Sequence, residues 1–530
     1  MPPGVSTTIA HVKMPTATAG RVGLRDPLKD SVLSHYDSLA PTRDAWYERN
    51  RYYHDYVERV LLEIVLPGSS VLELGSGTGN LLAALKPARG LGIDLSREMV
   101  AISRRKFPHL IFEVGDAETF CIRDQKFDYV VASDLVGELG DITAMLEQVR
   151  VVSHENTRLI VTFHNPTLEA VLRAAQRGGL AMAPARQNWL GQLAMTNLLE
   201  LADFQLETAQ HGLLVPKRLP LSGTINRRLS GRHAFKYLDL VNVMVARPIA
   251  DRPPLDDLSV TVVIPCRNEV GNIQAAVDRT PQMGAHTEIL FVDGSSTDGT
   301  KEKIEEIIER YGGQLDIRLL LQVPEADYNR PKDDADAPTA MLKLGKGDAV
   351  RKGFDAATGD VLMILDADLT VPPEDLPRFF APIAAGKADF VNGTRLVYPM
   401  EDRAMRFMNY VGNWFFSVLF TWLLEQPIRD TLCGTKVLRK SDYERIKAGR
   451  AYFGEFDPFG DFDLLFGAAR EGMRIVEVPV RYRRRVAGVS KVRVSRHGWL
   501  LIAMSGIAFR RLKLAKWLGR NGRSRQNRER

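Results

Sequence analysis

Residues 246–259, ARPIADRPPLDDLS, carry no apolar periodicity and are crowded with proline and aspartate. On either side lie repeated units of one kind: a short apolar run, a loop bearing glycine or an acid, then a helix-forming stretch. That alternation admits few folds. Each half must build a sheet of parallel strands covered by helices, and the proline-rich stretch must join two such bodies. The length of 530 residues agrees, because a single hydrophobic core does not grow that large. The chain is therefore expected to be α/β with two domains, at 45–248 and 259–498, and a linker at 249–258. Residues 1–44 read as a flexible tail, without the basic head and apolar core of a signal peptide. Residues 499–530 read as a basic, amphipathic C-terminal tail. Three scattered cysteines, Cys121, Cys266 and Cys433, offer neither a disulfide framework nor a thiolate zinc site, and suit a reducing cytoplasm.

In the first half, SSVLELGSGTGNLLAAL places three alternating glycines, Gly75, Gly77 and Gly79, between an expected strand and an expected helix. Glycine is wanted where a backbone must turn tightly and let a ligand approach. A second apolar strand ends at Asp94, where a carboxylate can accept hydrogen bonds from ribose hydroxyls. Further units add Asp116, Asp128 and Asp134 and imply a doubly wound parallel sheet. The glycine spacing is GxGxG, not the GxGxxG of nicotinamide enzymes. Position by position, Glu73, Gly75, Gly77, Gly79, Asp94, Asp116 and Ala117 resemble the cofactor motifs of class I S-adenosylmethionine-dependent methyltransferases, over roughly residues 47–247. The resemblance implies a Rossmann-like sheet that binds S-adenosylmethionine, with Asp94 on the ribose and Asp116 and Ala117 facing the adenine. Between Asn165 and Arg247 no residue announces a methyl acceptor or a base.

The second half contains GDVLMILDADLTVPPEDL. An apolar strand ends in Asp366-Ala367-Asp368, and Pro372, Pro373 and Glu374 open a helix. Two carboxylates at the C-terminal edge of a sheet suit magnesium or manganese, which prefer oxygen ligands and share them with substrate phosphates. Around them stand Val263-Ile264-Pro265 with Asn268-Glu269, Asp293 with Asp298-Gly299-Thr300, Gly345-Lys346-Gly347, Gly393-Thr394-Arg395, Arg429-Asp430 with Cys433-Gly434, GDFDLLFGAAREGMRIVEVPV and GVSKV. In this order the pieces resemble the inverting GT-A glycosyltransferases of family 2, within them the dolichyl-phosphate mannose and glucose synthases, over about residues 260–499.

The resemblance implies a nucleotide-diphosphate sugar donor. Pro265, Glu269, Asp293 and Lys346 would line the nucleotide pocket, and Asp366 and Asp368 would hold the metal. It departs from many relatives at Gly294 and at Thr370, where some place further acids. The acceptor is expected to be a polyprenyl phosphate, already ionised and in need of cations rather than a base. Arg395, Arg429 and Lys491 are the expected cations; Asp461 and Asp463 are the base candidates if the acceptor is instead a hydroxyl of a saccharide. In that alternative the methyltransferase half is a non-catalytic scaffold. Residues 407–424, FMNYVGNWFFSVLFTWLL, carry no charge, and 499–517 interleave apolar with basic residues. Both read as peripheral contacts with the inner face of a membrane. No stacking platform or recognition helix points to nucleic acid.

Overall fold

A computed structural model describes residues 27–122, 124–249, 257–324, 345–395, 397–398, 417, 419–426, 428–430, 433–449, 461–481, 505–506 and 509–510. The chain divides into two compact units, Met1–Arg252 and Pro253–Arg530, within the stretch read as a linker.

The first unit is a seven-stranded sheet in the order β3-β2-β1-β4-β5-β7-β6. The strands are β1 (Ser70–Leu74), β2 (Arg89–Asp94), β3 (Ile111–Val114), β4 (Phe127–Ser133), β5 (Ser153–His164), β6 (Phe204–Gly212) and β7 (Val241–Pro248). Strands β1 to β5 pair in parallel, as the repeated units require. β7 runs antiparallel to both β5 and β6, so the sheet is mixed rather than wholly parallel. The central strands are buried on both faces, which explains their continuous Val, Leu and Ile runs. Val71, Val131, Ile160 and Val243 share one core with Val57 and Leu61 of the helix Arg51–Ile64.

Residues 27–44 correct the expected tail. They form the helix Pro27–Leu39, a single 3₁₀ turn and the start of the helix Arg43–Arg49. Polar contacts clamp this segment over the glycine loop. Lys29 pairs with Asp116 and Glu118, Ser96 Oγ donates to Asp37 (2.6 Å), and Thr78 Oγ1 donates to Asp44 (2.7 Å). Its polar composition resembles that of a solvated tail because its partners include loop acids and hydroxyls.

The second unit is also a seven-stranded sheet, in the order β10-β9-β8-β11-β13-β12-β14. Its strands are β8 (Val260–Cys266), β9 (Thr287–Asp293), β10 (Asp316–Leu321), β11 (Val361–Ile364), β12 (Phe390–Thr394), β13 (Lys436–Arg439) and β14 (Ile475–Pro479). β13 enters antiparallel between β11 and β12. The segment just before it is thereby delivered to the edge where β11 ends. At residues 417 and 419–424 the uncharged stretch is a helix end whose Phe420, Leu423 and Leu424 are buried in this unit's core. Trp422 is half exposed and stacks on Phe509 (5.8 Å between ring centres, 22°). The remaining residues nominated for membrane contact, 407–416, 418, 499–504, 507–508 and 511–517, lie outside the described ones. Among the described residues no helix is long and apolar enough to cross a membrane.

Candidate active sites

In the first unit, β1 and β2 deliver Gly75, Gly77 and Asp94 to one cavity of about 410 Å³, and Asp116 and Ala117 line it from the loop after β3. Gly75, Gly77 and Gly79 all adopt positive φ (71°, 51° and 81°), the region glycine enters without a Cβ penalty. A Cβ on Gly77 would meet nothing within 4 Å, so the backbone there is open to a ligand. Ser76 Oγ beside it is buried without a hydrogen-bond partner. Asp94 accepts the Gly77 amide through Oδ2 (2.7 Å) and the Ser96 amide through Oδ1 (2.9 Å). Burial raises its pKa, against those two amides. An open amide loop, an orphaned hydroxyl and an acid at a strand end fit a nucleoside-bearing cofactor such as S-adenosylmethionine.

Two residues expected to touch the cofactor lie behind the loop instead. Glu73 is buried and accepts the Leu82 amide (3.1 Å), holding the first turn of the next helix. Burial pushes its carboxyl up to about 8. Gly79 lies against the ring of Phe112, leaving no room there for a side chain.

The same cavity carries a further cluster, at the ends of β4 and β5 and on the helix Arg51–Ile64. Tyr53 is buried, and its hydroxyl donates to Asp134 Oδ2 (2.7 Å) and lies 3.2 Å from His164 Nε2. Asp134 sits at φ 55°, and its Oδ1 accepts the Thr162 hydroxyl (3.1 Å). Burial, then Asp134, pushes the Tyr53 phenol well above its ordinary value, so it keeps its proton. That single proton goes to Asp134, so His164 Nε2 must donate to the phenol oxygen. In the neutral ring Nδ1 is then an acceptor, and no described residue hydrogen-bonds to it. Burial draws neighbouring His54 down to about 4. Tyr53, His54, Asp134 and His164 all line the cavity that Gly77 and Asp94 line. His164 ends β5, directly after the apolar run Leu159–Phe163, and a histidine closing such a strand is the signal in the sequence that points to it.

In the second unit, Asp366 and Asp368 follow β11, both half-buried. Asp366 Oδ1 is 2.6 Å from Lys346 Nζ. Thr370, the position where some relatives place an acid, donates its hydroxyl (2.8 Å) and amide (3.1 Å) to Asp368 Oδ1, fixing that carboxylate. Gly434 presses on the same pair: a Cβ there would stand 2.5 Å from Lys346 Nζ and overlap Asp366 Oδ2. Among the described residues no third His, Cys, Asp or Glu joins this group. Two hard oxygen donors beside a lysine fit a divalent cation whose other ligands are diphosphate and water.

Pro265, next to the last residue of β8, is half-buried, and Glu269 accepts the Asn272 side-chain amide (2.8 Å) at the start of the helix Val270–Arg279. Asp293 is fully buried, and its carboxylate accepts the amide (3.0 Å) and hydroxyl (2.5 Å) of Ser296. It shapes the loop after β9 rather than presenting a carboxylate to a ligand. Arg395 also departs from expectation. Its Nε and one terminal nitrogen grip Asp430 (2.6 and 2.8 Å), because that buried carboxylate requires a partner. Arg429 is different: its guanidinium is half-buried and forms no ion pair with any described residue. Burial lowers its pKa, and Glu477 partly restores it. Asp463 is buried on the helix Asp461–Arg470. The Asp461 side chain and Lys491 lie outside the described residues.

Comparison with known proteins finds a family match in each half. The family described as "Methyltransferase domain" matches residues 71–156, and "Glycosyl transferase family 2" matches 261–321 and 342–446. The second half is similar to a dolichol-phosphate mannosyltransferase of Pyrococcus furiosus, 29% identical over 251 residues, which cover 44% of this chain and 60% of that protein. It is also similar to a dodecaprenyl-phosphate galacturonate synthase of Rhizobium johnstonii, 23% identical over 260 residues, covering 48% and 68%. The chain thus spans about 60% of the archaeal relative's length. A S-adenosylmethionine-dependent methyltransferase from Thermotoga maritima superposes with a TM-score of 0.33 and 17% identity over 41% of this chain and 99% of that one. The chain is an enzyme that fuses a methyltransferase domain to a glycosyl transferase family 2 domain.

Proposed function

We propose that the second domain transfers one sugar, with inversion, from a nucleotide-diphosphate sugar to a polyprenyl phosphate, and that the first domain methylates a hydroxyl in the same pathway. The observation that carries the acceptor class is Arg429, a half-buried guanidinium with no ion-pair partner among the described residues. It is five residues before Gly434, which touches Asp366. A half-buried guanidinium with no ion pair among the described residues can take up an anion, and arginine grips phosphate oxygens in pairs. The named relatives act on polyprenyl phosphates, which supports the same class.

Asp366 and Asp368 would hold a divalent cation, which supplies positive charge to the leaving diphosphate. Lys346 stands against Asp366 and can pass its ammonium to a phosphate oxygen as charge develops there. Arg429 holds the acceptor phosphate, whose oxygen attacks the anomeric carbon from the face opposite the leaving group. No base is needed, since the second phosphate pKa is about 6. Asp463 then has a structural part only. Trp422 and Phe509, stacked and half exposed, come one from each segment expected to meet a membrane, and support peripheral attachment.

In the first domain S-adenosylmethionine, when bound, supplies a methyl group on a sulfonium sulfur. An acceptor hydroxyl must lose a proton as it takes that methyl. His164 Nδ1 receives the proton, while Tyr53 and Asp134 hold the ring in the tautomer that leaves Nδ1 free.

The test combines manganese, a panel of radiolabelled nucleotide sugars and polyprenyl phosphate, followed by lipid extraction. Label entering the organic phase from one donor, and lost in Asp368→Ala, is the expected result. Transfer only to water-soluble acceptors would sink the lipid-phosphate reading.

A further inference from the structure

From Thr208 to Leu238 the chain contains Lys217, Arg218, Arg227, Arg228, Arg232 and Lys236 and no Asp or Glu. In the fold this stretch leaves β6, forms the helix Ser222–Leu229 and returns to β7. It caps the methyltransferase cavity, which Pro216 and Lys217 help to line. Large apolar side chains project from it. Leu219 is 58% exposed, Leu221 72%, Tyr237 67% and Leu238 53%. Arg218, Arg227, Arg228 and Arg232 are exposed among them.

The cap is fastened from beneath, so these side chains are presented rather than trailing. Asn226 accepts the Val215 amide (3.0 Å) and donates to the Val215 carbonyl (2.9 Å) and the Tyr52 hydroxyl (3.1 Å). Ser230 Oγ accepts the Leu213 amide (2.6 Å), and Asn165 Nδ2 donates to the Lys236 and Asp239 carbonyls (2.9 and 3.0 Å). Lys217 Nζ donates to the Leu180 carbonyl (3.1 Å) at the cavity mouth, where Leu180 is itself 54% exposed. Leu221 is held at φ 68°, a conformation a leucine adopts only under constraint. A leucine both strained and exposed gains nothing for folding.

We infer that this cap is a docking surface for an anionic lipid bilayer, so that the methyltransferase cavity opens toward the membrane and takes its acceptor hydroxyl from there. Exposed leucines interleaved with arginines, with no acid among them, are complementary to apolar chains beneath negative headgroups. A second copy of the chain would bring the same cations together and repel. Nucleic acid would leave the leucines without a partner. The inference stands apart from the sugar-transfer reading, since the cap belongs wholly to the first unit.

The test is hydrogen exchange of the full chain with vesicles of equal parts phosphatidylglycerol and phosphatidylcholine, against phosphatidylcholine alone. Amides of residues 217–238 slow their exchange only with the anionic vesicles. The double variant Leu219→Ser/Leu221→Ser loses that protection and binds the vesicles about ten-fold more weakly, with the melting temperature unchanged. Asp368→Ala keeps the protection, which separates this surface from sugar transfer. Unchanged exchange in 217–238 while the protein sediments with vesicles would overturn the inference. So would full protection of the segment before any lipid is added, since another part of the chain or a second copy would then cover it. Protection by a short single-stranded RNA and none by vesicles would reassign the surface to nucleic acid.

Discussion

Gly434 stands so close to Asp366 that the smallest side chain on the glycine would overlap the carboxylate oxygen Oδ2. Backbone that arrives antiparallel ahead of β13 therefore forms a wall of the carboxylate site at the end of β11. Gly434→Ala must displace Asp366 or Lys346. We expect sugar transfer to fall by about a hundred-fold or more, as for other small misplacements of catalytic groups. Calorimetry should show S-adenosylmethionine binding unchanged, because the other domain is untouched.

The two arginines expected to serve the acceptor should separate by assay. Arg395 is committed to buried Asp430, so Arg395→Gln removes the guanidinium from a buried carboxylate and should cost about 3 kcal/mol of stability, seen as a lower melting temperature of the second domain. Arg429→Gln removes a cation that has no ion-pair partner among the described residues. Its melting temperature should hold or rise, while KM for polyprenyl phosphate rises about ten-fold. Equal losses of stability in both variants would contradict the division of labour.

Glu73 makes the stability of the first domain depend on pH. Its folded value of about 8 lies above the ordinary carboxyl value, so folding favours its protonated form. The stabilisation is complete below the unfolded pKa and is lost as pH rises through about 8. Thermal melts from pH 5 to 9 should show the first domain weakening over that range. Glu73→Gln keeps an acceptor for the Leu82 amide without a charge, so its profile should flatten and it should exceed the native protein at pH 9 by roughly 1–3 kcal/mol.

His164 is testable through the lipid-linked sugar formed in the same reaction. With methyl-labelled S-adenosylmethionine, His164→Gln should lower methyl transfer into the organic phase by about a hundred-fold or more. Cofactor affinity should be retained, since β1 and β4 separate β5, which His164 ends, from β2, which Asp94 ends. Tyr53→Phe should give a smaller loss and a changed pH profile, because the ring is no longer held in one tautomer. Unaltered transfer in His164→Gln would mean that the acceptor arrives already ionised.

Short-range motifs made most of the architecture legible. The strand before Gly75, the acid closing β2 and Asp366-Ala367-Asp368 announce their places because strand periodicity and loop chemistry are written within a few residues. What stayed hidden depends on contacts across long separations. Tyr53 meets His164 and Asp134, Arg395 meets Asp430, and Lys29 meets Asp116 only after the sheets have formed. Asp293 and Asp94 both end strands, so sequence position alone does not tell them apart; Asp94 lines a cavity, whereas Asp293 is fully buried against the Ser296 hydroxyl. The polar segment 27–44 looked like a tail because hydropathy cannot distinguish solvated polar residues from those paired with a neighbouring loop.

The methyltransferase match begins at residue 71 and ends at residue 156, whereas Lys29, Tyr36, Arg43, Tyr53 and His164 all stand outside it and all line the cavity. The shared strands are thus a floor on which the chain before and after erects separate walls. Exchanging those walls would change what faces the acceptor, and would also remove the partners that Lys29 and Tyr53 give to Asp116 and Asp134. A fragment trimmed to the matched span would keep Gly75, Asp94 and Asp134 and lose Tyr53 and His164, the two partners of the acceptor-side cluster.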